Sequence, residues 1–188
     1  MSPTALWLAG IFLAAPGPDE AELRSLRESR IETIATAISL ETRSPEEAAL
    51  VAATVWEESG RLRNDVQDGR RRGDKGKAIC LGQVHAQRAL PRAEWAATVG
   101  LDTASMRRCI AVVVRLYRVI GAKCDRRGDA LEERLARRAA AYATGKSCRP
   151  AAWKGARPRA RRALAWLRTA PSSAGACTAA EPCRFALR

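Results

Sequence analysis

A chain of 188 residues is long enough to close one domain around its own core without needing a metal or a second subunit for stability. A formal charge of +13 and a pI near 10.5 point to an anionic partner: nucleic acid, an acidic cell wall or an anionic membrane surface. The charge is uneven. Acids outnumber bases in residues 1–50, whereas ten bases against Glu181 alone follow from Lys146 onward, so either a basic C-terminal face or a merely solubilising surface is expected there.

Ala5 to Ala15 is an apolar run, broken by Pro16-Gly17-Pro18 and followed by acids from Asp19. It is too short for a bilayer, which takes roughly 20 residues, and has the length of an export leader. No base precedes it and no good small-residue cleavage site follows. The reading is a leader over residues 1–18, a domain over 19–170 and an irregular tail over 171–188. The six cysteines agree with export to the periplasm or beyond: the count is even, there is no C-x-x-C pair, and the lone His85 leaves no zinc-ligand pattern. Cys124 and Cys148 flank one helix, and Cys177 and Cys183 could close a small loop in the tail. Buried free thiols are the alternative.

From about Glu20 to Thr42, Leu23, Leu26, Ile31, Ile34, Ala35 and Ile38 recur at helical spacing, as in a helix laid on the outside of a core. Ser44-Pro45-Glu46-Glu47 is a capping box with proline at the first helical position. The helix it opens runs to about Ser59 and stops at Gly60. Val51, Val55 and Glu58 share one stripe, but Glu57 follows Leu50, Ala53 and Thr54, so helical phase does not decide which glutamate faces inward. Arg61 to Lys77 is too rich in charge and glycine to pack, and Gln67-Asp68-Gly69 marks a turn. Ala78 to Val84 is short, apolar and suited to a strand or hairpin arm.

Pro91 opens a short helix around Trp95. Thr103 or Ser105 opens the most hydrophobic one, with Met106, Cys109, Ile110, Val113, Leu116, Tyr117 and Ile120 on one face and Gly121 at its end; this is the expected buried centre. Asp129 and Glu132 open a helix carrying Leu131, Leu135, Ala139 and Tyr142 on one side, stopping at Gly145. A last helix, Pro158 to Arg168, is expected to turn Ala160, Ala163, Leu164 and Leu167 inward and its arginines outward. The fold class is mainly α, with a little extended structure after the glutamates.

Glu58-Ser59-Gly60, Cys80-Leu81-Gly82-Gln83-Val84 and Ala141-Tyr142-Ala143-Thr144-Gly145, in that order, resemble the soluble lytic transglycosylase and goose-type lysozyme group of the lysozyme-like superfamily. The resemblance spans roughly residues 48–145. It implies a lysozyme-like helical domain that cleaves peptidoglycan at the MurNAc–GlcNAc bond without a cofactor or metal. It also implies that Glu58, the glutamate directly before the serine, is the catalytic acid and base. Ser59, Gln83 and Tyr142 then fall on substrate-binding positions. Cys80, Gly82 and Ala143 depart from the family pattern and bear on cleft shape.

Glycosidic cleavage needs a protonated carboxyl beside the leaving oxygen, favoured by an apolar setting. Most glycosidases add a second carboxylate; the family implied here can act with one. If a second is used, Asp68 comes first, then Asp65 or Asp74. Each could equally be a loop residue bonding nearby backbone. Gln83, Tyr142 and His85 have ordinary loop or core roles as alternatives. The partners expected are peptidoglycan glycan strands and an anionic wall surface. Nucleic acid is not expected, because the basic stretches lack interleaved aromatics, and neither is a stable membrane span. A lysozyme-like domain that binds peptidoglycan or serves a structural role without cleaving is the second reading, and a basic nucleic-acid-binding helical protein the third.

Overall fold

Nine consecutive residues, Ala48 to Trp56, are buried, and the helix that carries them is the centre of the molecule. The computed structural model describes residues 1–17, 24–85 and 91–171. Among them the helices are α1 (Pro3–Ala14), α2 (Arg24–Glu41), α3 (Pro45–Glu58), α4 (Asn64–Gln67), α5 (Arg92–Ala96), α6 (Thr103–Cys124), α7 (Leu131–Thr144) and α8 (Ala156–Leu167). A two-stranded antiparallel hairpin, β1 (Ala78–Ile79) and β2 (Val84–His85), pairs Ala78 with His85 and Ile79 with Val84. The mainly helical class is as expected. No helix of the described residues is long and apolar enough to cross a membrane.

The central helix is α3, not α6. Alanines at 48, 49, 52 and 53 let neighbours approach closely, and α8 answers with buried Ala156, Ala160 and Ala163, so the two helices pack along small-residue faces. In α6 the apolar stripe is real, but Arg107, Arg108 and Arg115 face water. It is an amphipathic wall. It also runs through Gly121 to Cys124; a side chain at 121 would press on the Arg138 guanidinium.

The start of α3 matches its sequence signal. Ser44 Oγ accepts from Glu47 N–H at 3.2 Å, while Glu47 Oε2 accepts from Arg43 N–H at 2.7 Å, and Arg118 of α6 donates to Glu47 Oε1 at 2.9 Å. Burial pushes the Glu47 carboxyl up, but these donors outweigh it and hold it below its ordinary value of 4.5. A carboxyl depressed in the folded state stabilises the protein fully above the unfolded pKa, and that contribution is lost as pH falls through the lower folded value. Glu47→Gln is therefore expected to lower the melting temperature at neutral pH and to decline less steeply than the wild type below about pH 5. Parallel melting curves for the two proteins across that range would contradict it.

The segment read as a leader is a core helix in the structure. Ser2 caps α1, and Ala5, Trp7, Leu8, Ala9 and Phe12 are buried. Phe12 stacks on Trp56 at 5.8 Å between ring centroids and meets the edge of Trp166 at 5.9 Å, so α1, α3 and α8 share one aromatic cluster. Trp7 Nε1 donates to Thr169 Oγ1 at 3.0 Å. Arg27 of α2 donates to the Phe12 and Ala15 carbonyls at 3.3 and 3.2 Å, closing the C-terminal end of α1. In consequence α2 does not lie outside the core but is packed between α1 and α6. Leu26, assigned by its spacing to the inner face, is 59% exposed.

Residues 61–77 also pack more than their composition suggests. Gly60, Arg61 and Leu62 all have positive φ and reverse the chain sharply after α3. Leu62 and Val66 are buried, and the buried Arg30 donates to the Leu62 carbonyl. Gln67 is fully buried: its amide donates to the Thr98 and Gly100 carbonyls at 3.0 and 2.8 Å and accepts from Leu81 N–H at 3.1 Å. One glutamine thus ties the loop, the hairpin and the turn before α6 together. Disulfides Cys80–Cys109 and Cys124–Cys148 fix the hairpin to α6 and the end of α6 to the segment after α7. Cys177, Cys183 and the rest of the expected tail after residue 171 lie outside the described residues.

Candidate functional site

A groove of about 660 Å³ opens where the C-terminal ends of α3, α6 and α7 meet the hairpin. Glu58 enters it from α3, Asp74, Gln83 and His85 from the hairpin and its approach, and Tyr142 from α7. Leu116, Ile120 and the Cys124–Cys148 disulfide form an apolar wall, and Lys123 and Lys146 stand at the groove. The three short motifs, distant in sequence, meet here.

Glu58 ends a buried helix, and its side chain is 23% exposed. Its Oε1 accepts from Arg159 Nη2 at 2.7 Å. Arg159 Nε donates to Glu57 Oε2 at 2.8 Å, and Arg162 Nε donates to Glu57 Oε1 at 2.9 Å. Two carboxylates thus meet two guanidiniums. Arg159 itself is 2% exposed and lies 4.4 Å from the Trp153 ring centroid, a cation–π contact. Burial works against its charge, but the Glu58 and Glu57 carboxylates bonded to it help to outweigh burial and hold the guanidinium above its usual value. Glu57 is the outer partner of the cluster, and Glu58 is the one that reaches the groove.

Sequence spacing had turned the arginines of α8 outward. Arg159 is the correction. It shares the inward stripe with Ala156, Ala160 and Ala163, so helical phase did point it toward α3, and the two glutamates at the end of α3 are what make its burial tolerable.

Tyr142 stacks on Tyr117 at 4.9 Å and donates to the Gly82 carbonyl at 2.6 Å; its bond therefore goes to the hairpin and not to Glu58. Burial pushes its phenol well up, with Tyr117 and Glu58 acting in the same sense. Tyr117, raised chiefly by burial, shares a hydrogen bond with Thr54 of α3 at 2.6 Å. Both phenols are protonated at neutral pH, so this pair fixes α7 to α3 and supplies no charge.

Gln83 has φ +48°, a left-handed conformation uncommon for a side-chain-bearing residue. Its Nε2 donates to the Cys80 carbonyl at 3.2 Å. Gly82 must be glycine, because a Cβ there would lie 2.3 Å from Val113 Cγ2 and 3.1 Å from the Tyr142 hydroxyl. With Cys80 bonded to Cys109, the departures at 80 and 82 are how this hairpin is clamped onto α6.

Ser59 does not reach the groove. It is 1% exposed; its hydroxyl donates to the Val55 carbonyl and accepts from Leu62 N–H at 2.8 Å. Its work is the chain reversal after α3, so the substrate-binding role is withdrawn. Asp68 is also elsewhere, accepting from Arg70 N–H and Nε at 3.0 and 2.6 Å. Asp65 is held below the usual carboxylate range, first by its bond to Arg63. Asp74 is the acid of the loop that lines the groove, with its Oδ2 3.4 Å from His85 Nε2. Nothing in sequence ranked it above Asp68, because its place depends on the bridge between Gly73 and Ala78. Among the described residues no cluster of acids, cysteines or histidine could hold a metal ion.

No family model, curated protein or solved structure matches this chain. The site is therefore read from its own geometry: one carboxyl held from behind by a buried arginine, in a groove with an apolar wall, a glutamine and a second acid.

Proposed function

We propose that the protein is a peptidoglycan-cleaving lytic transglycosylase of lysozyme-like character, with Glu58 as its single acid and base, acting after export. The observation that carries this reading is the convergence of Glu58, Gln83 and Tyr142 on one groove. Glu58 Oε1 is anchored on Arg159, and in the proposed step the other carboxyl oxygen delivers the proton. That proton passes to the glycosidic oxygen as its bond to C1 of the muramic acid breaks. The carboxylate left behind, now supported by Arg159, takes the proton of the C6 hydroxyl as that oxygen bonds to C1. The product is a 1,6-anhydro end, and no water is consumed. Gln83 and the wall formed by Leu116 and Ile120 would hold the sugars.

The net charge of +13 supports attraction to an anionic wall. Binding to purified sacculi is expected to weaken steeply as salt is raised from low to physiological levels; salt-independent binding would count against a charge-driven attachment.

A second reading, wall binding without cleavage, is favoured by one feature. Glu58 is already paired with Arg159, and the Gln83 amide is already spent on the Cys80 carbonyl. Incubating purified sacculi with the oxidised protein separates the two. Solubilised fragments that disappear with Glu58→Gln support the enzyme, whereas retention on sacculi with no fragments from either protein supports the binding domain.

A further inference from the structure

A second groove, of about 760 Å³, lies beyond α7 and α8 and is lined by Arg126, Arg137, Arg149, Lys154, Arg157 and Arg161 with no carboxylate among the described lining residues. Three of the six are neutralised from behind: Arg137 by Asp129 at 3.0 Å, Arg157 by Glu133 at 3.1 Å and Arg161 by Glu132 at 3.5 Å. Arg126, Arg149 and Lys154 are exposed and have no acidic partner among the described residues. The start of α8 adds to the same field. Gly155 is its N-cap, no side chain caps it and its first turn has no acid, so the positive end of a twelve-residue helix is left uncompensated.

The cations come from the segment after α6, from α7, from the 149–154 segment and from α8, so they approach the groove from several directions. A planar carboxylate presents two oxygens in one plane. A phosphate presents acceptors on a tetrahedron and accepts guanidinium forks from more than one side. The aromatic residue at this groove, Trp153, already carries Arg159 at 4.4 Å and has the Gly155 backbone against its six-membered ring, which leaves little of it for a nucleobase to stack on.

We propose that this groove binds a base-free phosphodiester chain, with Arg126, Arg149, Lys154 and the start of α8 holding its phosphates. The site is separate from the Glu58 groove, and binding here does not depend on whether the protein cleaves glycans.

Isothermal titration of the full, oxidised chain with inorganic tripolyphosphate tests it. One saturable site is expected, weakening as salt rises. The double substitution Arg149→Glu/Lys154→Glu is expected to reduce affinity by about tenfold or more. Arg71→Glu/Arg108→Glu makes the same charge change outside the groove, on exposed residues, and is expected to retain most of the binding. Equal losses in the two doubles would reduce the effect to net charge and overturn the proposal. So would an oligoglutamate of matched charge binding as tightly as tripolyphosphate, or a single-stranded DNA whose affinity depends on its bases.

Discussion

Replacing Arg159 with methionine is expected to destabilise the protein by about 3 kcal/mol, in the range for removing one partner of a buried ion pair. Methionine keeps an unbranched apolar side chain in the buried position and leaves Glu57 its bond to Arg162, but Glu58 loses its guanidinium and Trp153 its cation–π partner. Both carboxylates still reach water, at 22% and 23% exposure, which places the loss at the lower end of that range. For a chain of this size the melting temperature should fall by roughly 6–12 °C. The double variant Arg159→Met/Glu58→Gln should recover part of that fall, because no carboxylate at position 58 is then left unpaired. A melting temperature unchanged by Arg159→Met would mean that the arginine is not buried on the glutamates in solution, and the anchoring of Glu58 would fall with it.

The second large effect concerns α1. Phe12 is fully buried and its ring touches Trp56 and Trp166, so Phe12→Ala should cost about 3–5 kcal/mol through lost burial and the cavity left behind. The loss should appear as a melting temperature lowered by roughly 10 °C and a shifted tryptophan emission spectrum. An unchanged melting curve and spectrum would mean that α1 is not docked on α3 and α8, as the reading of this segment as a leader expects. That reading arose because an apolar run before a proline break has the same composition whether it is cleaved or packed. What decides is the complementary surface, here an aromatic pair contributed by residues 56 and 166.

Local signals in the sequence were strong wherever one residue type does one job. Ser44-Pro45 starts α3, Gly145 with φ +70° ends α7, and the short apolar run at Ala78 to Val84 becomes a hairpin. The three groove motifs are each short and were picked out by the resemblance of their order to a known family. Signals failed where a residue acts through something distant. Gln67 stood in a turn motif but bonds to residues 81, 98 and 100. Ser59 was placed at a substrate position by the resemblance, yet it serves the turn that follows. Arg159 lies on an alanine stripe yet was expected outward with the other arginines of its helix; its two partners are about a hundred positions away. Asp68 was ranked above Asp74 for its place in a turn motif, but the Gly73–Ala78 bridge brings Asp74 to the groove.

The claim that Glu58 cleaves glycan strands without water is tested most directly by weighing the new ends. Purified peptidoglycan incubated with the oxidised protein, and in parallel with Glu58→Gln, is analysed by mass spectrometry. The account predicts 1,6-anhydromuramic ends, lighter by one water than hydrolysed ends, from the wild type, and a loss of about a hundredfold or more with the variant. Reducing ends would contradict the single-carboxyl mechanism and turn attention to Asp74; no new ends from a folded, oxidised wild-type protein would contradict the enzymatic reading itself.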